Sequence, residues 1–327
     1  MSDKVINWLL EENNPSVRFF TLTSLLDRSL SDPEVGETKK AIMEKGIVPE
    51  ILDKQNSDGS WGIPERFYND KYTGTVWTLL LLAEMAADPD DQRIKNACEF
   101  ILRHSQDPEG GGFSYTQSTK TGTGLPSGVV PCLTGNMVYT LIKLGYLNDN
   151  RLQKAIDWIT KYQRADDAIE EAPAGKVYER YNMCWGRHSC HMGVAKALKA
   201  LAAIPSEMRS TETINKTFEM TEYFLKHHIY KKSHSLGEIS RPGWLKPGFP
   251  LMYQTDILEL LDIFAALKIK DPRMQDALEI IRSKQIEDGK WKLESSNNGK
   301  MLVGIEKKGK PSKWLTLKAL KVLKEYQ

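Results

Sequence analysis

Apolar residues recur at helical spacing in six stretches, 16–26, 75–85, 136–144, 191–203, 256–267 and 314–326. Six amphipathic stretches alternate with them, at 5–12, 38–54, 93–104, 151–163, 214–227 and 273–284. Asp32-Pro33, Asp88-Pro89, Asn148-Asp149 and Asp271-Pro272 fall between stretches, where proline stops one helix and an acidic side chain starts the next. The pattern predicts an all-α chain of paired helices.

A recurring turn joins the pairs. It is clearest from Gln55 through Asp58-Gly59 to Trp61, and from Gln285 through Asp288-Gly289 to Trp291. A looser copy holds Gln106, Gly110, Gly111, Gly112 and Phe113, and degenerate copies sit at 158–163 and 224–228. The spacing is roughly 50 to 65 residues, which marks a repeat architecture. Asp-Gly and Gly-Gly-Gly supply the positive φ at which a helix ends. The Gln side chain can reach backbone groups of the next unit, and the aromatic can fill the seam between units.

These copies resemble the so-called QW motif of squalene cyclases and the related repeat of protein prenyltransferase β subunits. The resemblance covers nearly the whole chain. It implies one domain over 1–327, a single closed (α/α)6 toroid of inner and outer helices. The helix after each turn would then be an inner one, with its N-terminus at a central cavity.

Bulk properties fit this reading. A length of 327 residues is long for one compact core, but repeat units pack only on their neighbours. Hydrophobic residues at 40% beside 27% charged describe a globular chain. A net charge of +2 gives no field for nucleic acid or a membrane surface. The longest apolar run, near 79–83, is too short to span a bilayer. The first residues lack the apolar core of a signal peptide. A cytoplasmic location is expected, with Cys98, Cys132, Cys184 and Cys190 reduced.

Four groups are candidates for chemistry. Asp88-Pro89-Asp90-Asp91 has the Asp-x-Asp-Asp form of the acid of class II terpene cyclases, but it sits where a capped turn is expected. Cys132 and Cys190-His191 open successive inner helices, with Tyr253 at the equivalent place in the next. Two thiolates and an imidazole there could hold zinc and leave an open position, with Cys184, His188 and Asp256 as further ligands. This set resembles that of lanthionine cyclases, which implies a zinc-dependent peptide-modifying enzyme; buried packing of the cysteines is the other reading.

Basic residues including Arg187, Arg241 and Lys313 lie in loops that lead to inner helices, interleaved with Trp185, Trp244, Tyr253 and Trp314. Together with His188 they suit a hydrophobic molecule with an anionic end. Asp256 and Glu259 share the start of one apolar stretch, and Asp256 is the carboxylate placed for acid–base work, beside Cys190 and Tyr253. A capping role explains Asp256 equally well.

The expected function is that of a terpenoid cyclase- or prenyltransferase-like protein, an isomerase, lyase or transferase by class, binding an isoprenoid-like molecule. The alternative is a non-catalytic peptide- or protein-binding module, since prenyltransferase β subunits work with a helical partner.

Overall fold

The computed structural model describes residues 2–167, 171–186 and 188–327. Among the described residues fourteen α-helices run in chain order: α1 Asp3–Leu9, α2 Pro15–Phe20, α3 Pro33–Glu44, α4 Ile47–Leu52, α5 Thr75–Glu84, α6 Gln92–His104 and α7 Pro131–Lys143, then α8 Asn150–Tyr162, α9 Asn182–Trp185, α10 His191–Ala202, α11 Thr211–Lys226, α12 Ile257–Ala266, α13 Gln275–Ser283 and α14 Lys313–Glu325. A wider turn, Thr21–Leu25, extends α2. The molecule is mostly helical but not wholly so. Two short antiparallel pairs interrupt it, β1 Lys231–Lys232 with β2 Ser235–Ile239, and β3 Trp291–Lys292 with β4 Pro311–Ser312.

Burial separates two kinds of helix. Every residue of α5 is buried, as is every residue of α10 from Gly193 to Leu201. Helices α6, α8 and α13 bury one stripe and expose the rest, which is how amphipathic helices cover a core. Amphipathic helices lie on buried ones: α3 on α2, α6 on α5, α8 on α7, α11 on α10 and α13 on α12. The buried helices also contact one another in order, α5 on α7, α7 on α10, α10 on α12 and α12 on α14. Ser16 of α2 donates to Met85 O at 2.8 Å. At the other end of the chain, α14 packs on α2 and its extension, where Lys324 Nζ donates to Leu25 O at 3.0 Å.

The turn copies share their bonding. Gln55 Nε2 reaches Gly59 O at 3.0 Å and Arg93 O at 2.8 Å, and Gln106 Nε2 reaches Gly111 O at 2.9 Å and Arg151 O at 2.7 Å. Each Gln thus ties its own turn to the start of the next amphipathic helix. Trp61 and Trp291 are fully buried, and their indole N–H groups donate to Ile51 O and Ile281 O, both at 2.8 Å. Asp91, Asp149 and Asp271 each accept from the backbone N–H and the guanidinium of the Arg two residues on. Asp91 is therefore the cap of α6, so Asp88-Pro89-Asp90-Asp91 is a capped turn.

Two helix boundaries differ from the pattern. The expected helix 38–54 is split into α3 and α4 at Gly46, whose φ of +79° breaks the helical path. Helix α7 begins at Pro131, ahead of 136, because proline is preorganised for the first helical position. At Gly135 a Cβ would stand 2.4 Å from the carbonyl carbon of Lys196. Only a glycine lets α7 and α10 touch backbone to backbone there.

Candidate functional site

The N-terminal ends of the buried helices carry thiols and aromatic rings. Cys132 is the second residue of α7 and Cys190 the N-cap of α10. Cys132, Cys184 and Cys190 are free and half-buried. The influence of Cys184 brings the Cys190 thiol down to about 6. Burial opposes this, while the backbone N–H groups of Gly193 and Met192 and the Arg241 charge assist. Burial pushes the Cys132 thiol up to about 12.

His191 is held by aromatic neighbours on α11 and in the segment after β2. Its Nδ1 is 3.1 Å from Tyr223 OH, and its ring stacks on Trp244 at 3.8 Å. Burial, with His227 and Arg241 nearby, holds it well below the usual imidazole range, so it is neutral. The expected Cys132, Cys190 and His191 triad is thus not assembled. Among the described residues no group of three or more His, Cys, Asp or Glu is arranged to hold a metal ion.

Tyr253 joins an aromatic box with Tyr68 and Trp77. The Lys71 ammonium lies 4.5 Å from the Tyr253 ring, 5.0 Å from Tyr68 and 5.8 Å from Trp77, a cation–π arrangement. Asp256 caps α12: Oδ1 accepts from Glu259 N and Oδ2 from Gly248 N, both at 2.9 Å. Burial pushes its carboxyl up to about 6 despite those donors. It borders only a gap of about 10 Å³, so the carboxylate expected at an open cavity is a buried cap.

The other expected residues divide. Trp185 packs between Trp158 and Tyr178 in the core, with ring centroids 5.9 and 5.3 Å away. Lys313 bonds Glu11 and Asn13 at 2.8 and 2.7 Å, fastening the N-terminal segment rather than meeting a ligand. His188 and Trp244 line a cavity of about 600 Å³ beside α10 and α11. Arg187 lies outside the described residues. Trp314 stacks on Phe249 at 4.2 Å and lines a different cavity.

That cavity, about 540 Å³, opens toward the C-terminal ends of the buried helices. One wall is apolar, with Phe19, Phe20, Leu30, Ala83, Ala87 and Leu317; Trp314 and Tyr139 add rings. The facing wall is charged. Lys318 bonds Glu84 at 3.2 Å and Lys321 bonds Asp262 at 2.8 Å. Lys39 gives its ammonium to Ala86 O at 2.5 Å. Lys143 is exposed at this wall; it makes no hydrogen bond or ion pair among the described residues, and its ammonium lies 5.9 Å from the Tyr139 ring.

Behind this wall a buried network closes the centre. Fully buried Lys196 bonds both Glu259 oxygens at 2.8 and 2.7 Å, and Lys199 bridges Glu259 and Glu84 while lying 4.3 Å from the Tyr139 ring. Burial alone would raise both Glu carboxyls. For Glu84 the Lys199 and Lys318 charges outweigh it, and for Glu259 those of Lys196 and Lys199, so both stay ionised. Lys321 and Lys318 do the same for Asp262.

Sequence reading missed this wall. The available signal was a charge inside an apolar helical run: Glu84 after Leu79–Leu82, Lys196 and Lys199 in α10, Lys318 and Lys321 in α14. Such residues stay buried only when paired.

Among solved structures the chain is similar to the type II terpene cyclase MstE from Scytonema, with a TM-score of 0.47 and 14% identity over 95% of this chain and 87% of that one. A variant of that cyclase in complex with geranylgeranyl dihydroxybenzoate matches at a TM-score of 0.43 and 15% identity, covering 98% of each chain. Another, in complex with merosterolic acid A, matches at 0.44 and 14%, covering 99% of each. No protein-family model matches the chain, and no curated protein matches it. No helix among the described residues is long and apolar enough to cross a membrane.

Proposed function

We propose that the helix pairs close into an (α/α)6 toroid, and that the cavity at the C-terminal ends of its inner helices binds a terpenoid-like small molecule with an anionic end. The order of helix contacts, returning from α14 to α2, supports the closed ring. The cavity carries the binding part. Its volume of about 540 Å³ lies in the range of small-molecule sites. An apolar aromatic wall faces four ammonium groups (Lys39, Lys143, Lys318 and Lys321) that meet two carboxylates, Glu84 and Asp262.

The unmatched charge is the deciding observation. Lys143 is exposed at the cavity and has no carboxylate partner among the described residues, so its ammonium is free to pair with an incoming carboxylate. The reading is one of binding. Glu84 and Asp262 are held ionised by lysines, so neither is a proton donor at neutral pH. The isoprenoid chain would lie along Phe19, Phe20 and Leu317, with its acid end at Lys143.

Titration calorimetry with geranylgeranoic acid and with geranylgeraniol tests this. The acid is expected to bind at least about tenfold tighter, and Lys143→Met to erase the difference. Leu317→Trp should block both ligands by filling the apolar side. Equal affinity for acid and alcohol, or acid binding untouched by Lys143→Met, defeats the proposal.

A further inference from the structure

The second cavity, about 600 Å³, shares no lining residue with the lysine-walled one. Its residues come from the segment after α8, the start of α10, the end of α11 and the segment after β2. Trp244, Met183 and Met192 give it apolar surface. Both signs of charge line it as well. Asp166 is already satisfied, since Arg164 donates to it at 2.8 Å and Ser189 at 3.1 Å. Lys232 is paired with Glu238. Asp167 and Arg241 are left over. Among the described residues the Asp167 carboxylate accepts no hydrogen bond, the Arg241 guanidinium makes no hydrogen bond or ion pair, and the two do not pair with each other.

His227 makes the acidic side specific. It lines the cavity while only 7% exposed. Its Nδ1 lies 2.8 Å from Lys231 O. A carbonyl oxygen only accepts, so Nδ1 carries the proton and Nε2 of the neutral ring is an acceptor. That Nε2 has no hydrogen-bond partner and stands 3.3 Å from Asp167 Oδ1. Two acceptors side by side, one of them buried, leave a donor missing between them. A primary ammonium supplies it: the group can donate to both atoms and neutralises the carboxylate. A metal ion fits less well, because no third His, Cys, Asp or Glu among the described residues completes a ligand set.

We propose that this cavity binds a small zwitterion of the amino-acid class. Its ammonium sits between Asp167 and His227, its carboxylate meets Arg241, and an apolar side chain lies against Trp244 and Met192. Arg241 suits the carboxylate because a planar guanidinium can take both oxygens at once. The ligand needs both ends. A plain acid would leave Asp167 and the His227 Nε2 unmet, and a plain amine would leave Arg241 so. The lysine-walled cavity makes no such demand, since each of its carboxylates already has a lysine.

The test is titration calorimetry of the full chain with phenylalanine, leucine and methionine. Two analogues of phenylalanine serve as controls: phenethylamine, which lacks the carboxylate, and 3-phenylpropionate, which lacks the ammonium. Phenylalanine is expected to bind at least about tenfold tighter than either. Asp167→Asn should remove most of its lead over 3-phenylpropionate, and Arg241→Met most of its lead over phenethylamine. Asp167 is half-buried and Arg241 exposed, so both variants should fold, and circular dichroism checks this. An analogue that binds as tightly as phenylalanine overturns the proposal. So does phenylalanine affinity unchanged in Asp167→Asn, which would mean that Asp167 serves His227 alone. Absence of saturable binding by all three amino acids overturns it too.

Discussion

Two regions among the buried helices are held by different physics. Near the start of α5, Tyr68, Trp77 and Tyr253 surround the Lys71 ammonium. These are soft, polarizable contacts, each worth little by itself. In the interior between the buried helices, Lys196, Lys199, Lys318 and Lys321 interlock with Glu84, Glu259 and Asp262. There each charge depends on its partner, because removing one leaves another desolvated and alone.

The sharpest way to break this comparison is Glu259→Ala, which strips both Lys196 and Lys199 of a buried partner. A loss of about 3–5 kcal/mol is expected in urea unfolding. A loss below about 1 kcal/mol would mean the network is slack. Lys196→Met added to Glu259→Ala should recover part of the loss by removing the stranded charge.

Acid titration of stability comes next. Glu84, Glu259 and Asp262 are shifted below their ordinary values. Their contribution is therefore whole above the unfolded carboxyl range and fades as pH falls through the folded values. Wild type should lose stability steeply below the ordinary Glu value of 4.5. Glu84→Gln should lower the plateau by about 1–3 kcal/mol and flatten that acid limb.

The smallest effect belongs to the soft region. Lys71→Met should cost no more than about 1 kcal/mol, the scale of a cation–π contact near solvent. Thermal melts would check it, and a larger loss would place Lys71 among the structural charges.

These differences also explain what could be read from the chain. The Gln55-to-Trp61 and Gln285-to-Trp291 turns were legible because local rules govern them: a helix stop at Asp-Gly and an indole that must find a carbonyl. Asp88-Pro89-Asp90-Asp91 was legible as a cap for the same reason. Lys313 was misjudged because its partner Glu11 is 302 positions away in the chain. Glu84 and the lysines of the charged wall were passed over for a related reason. A single charge in an apolar run looks like an interruption until its counterpart on another helix is known. The cysteines were placed correctly at helix starts, but which way His191 turns depends on Trp244 and Tyr223, supplied by other elements.

The contact at Gly135 has one more consequence. With α7 and α10 pressed main chain to main chain, this seam has no thickness to spare. A methyl group introduced at position 135 would meet the Lys196 backbone at 2.4 Å and is the smallest wedge that would force the two helices apart.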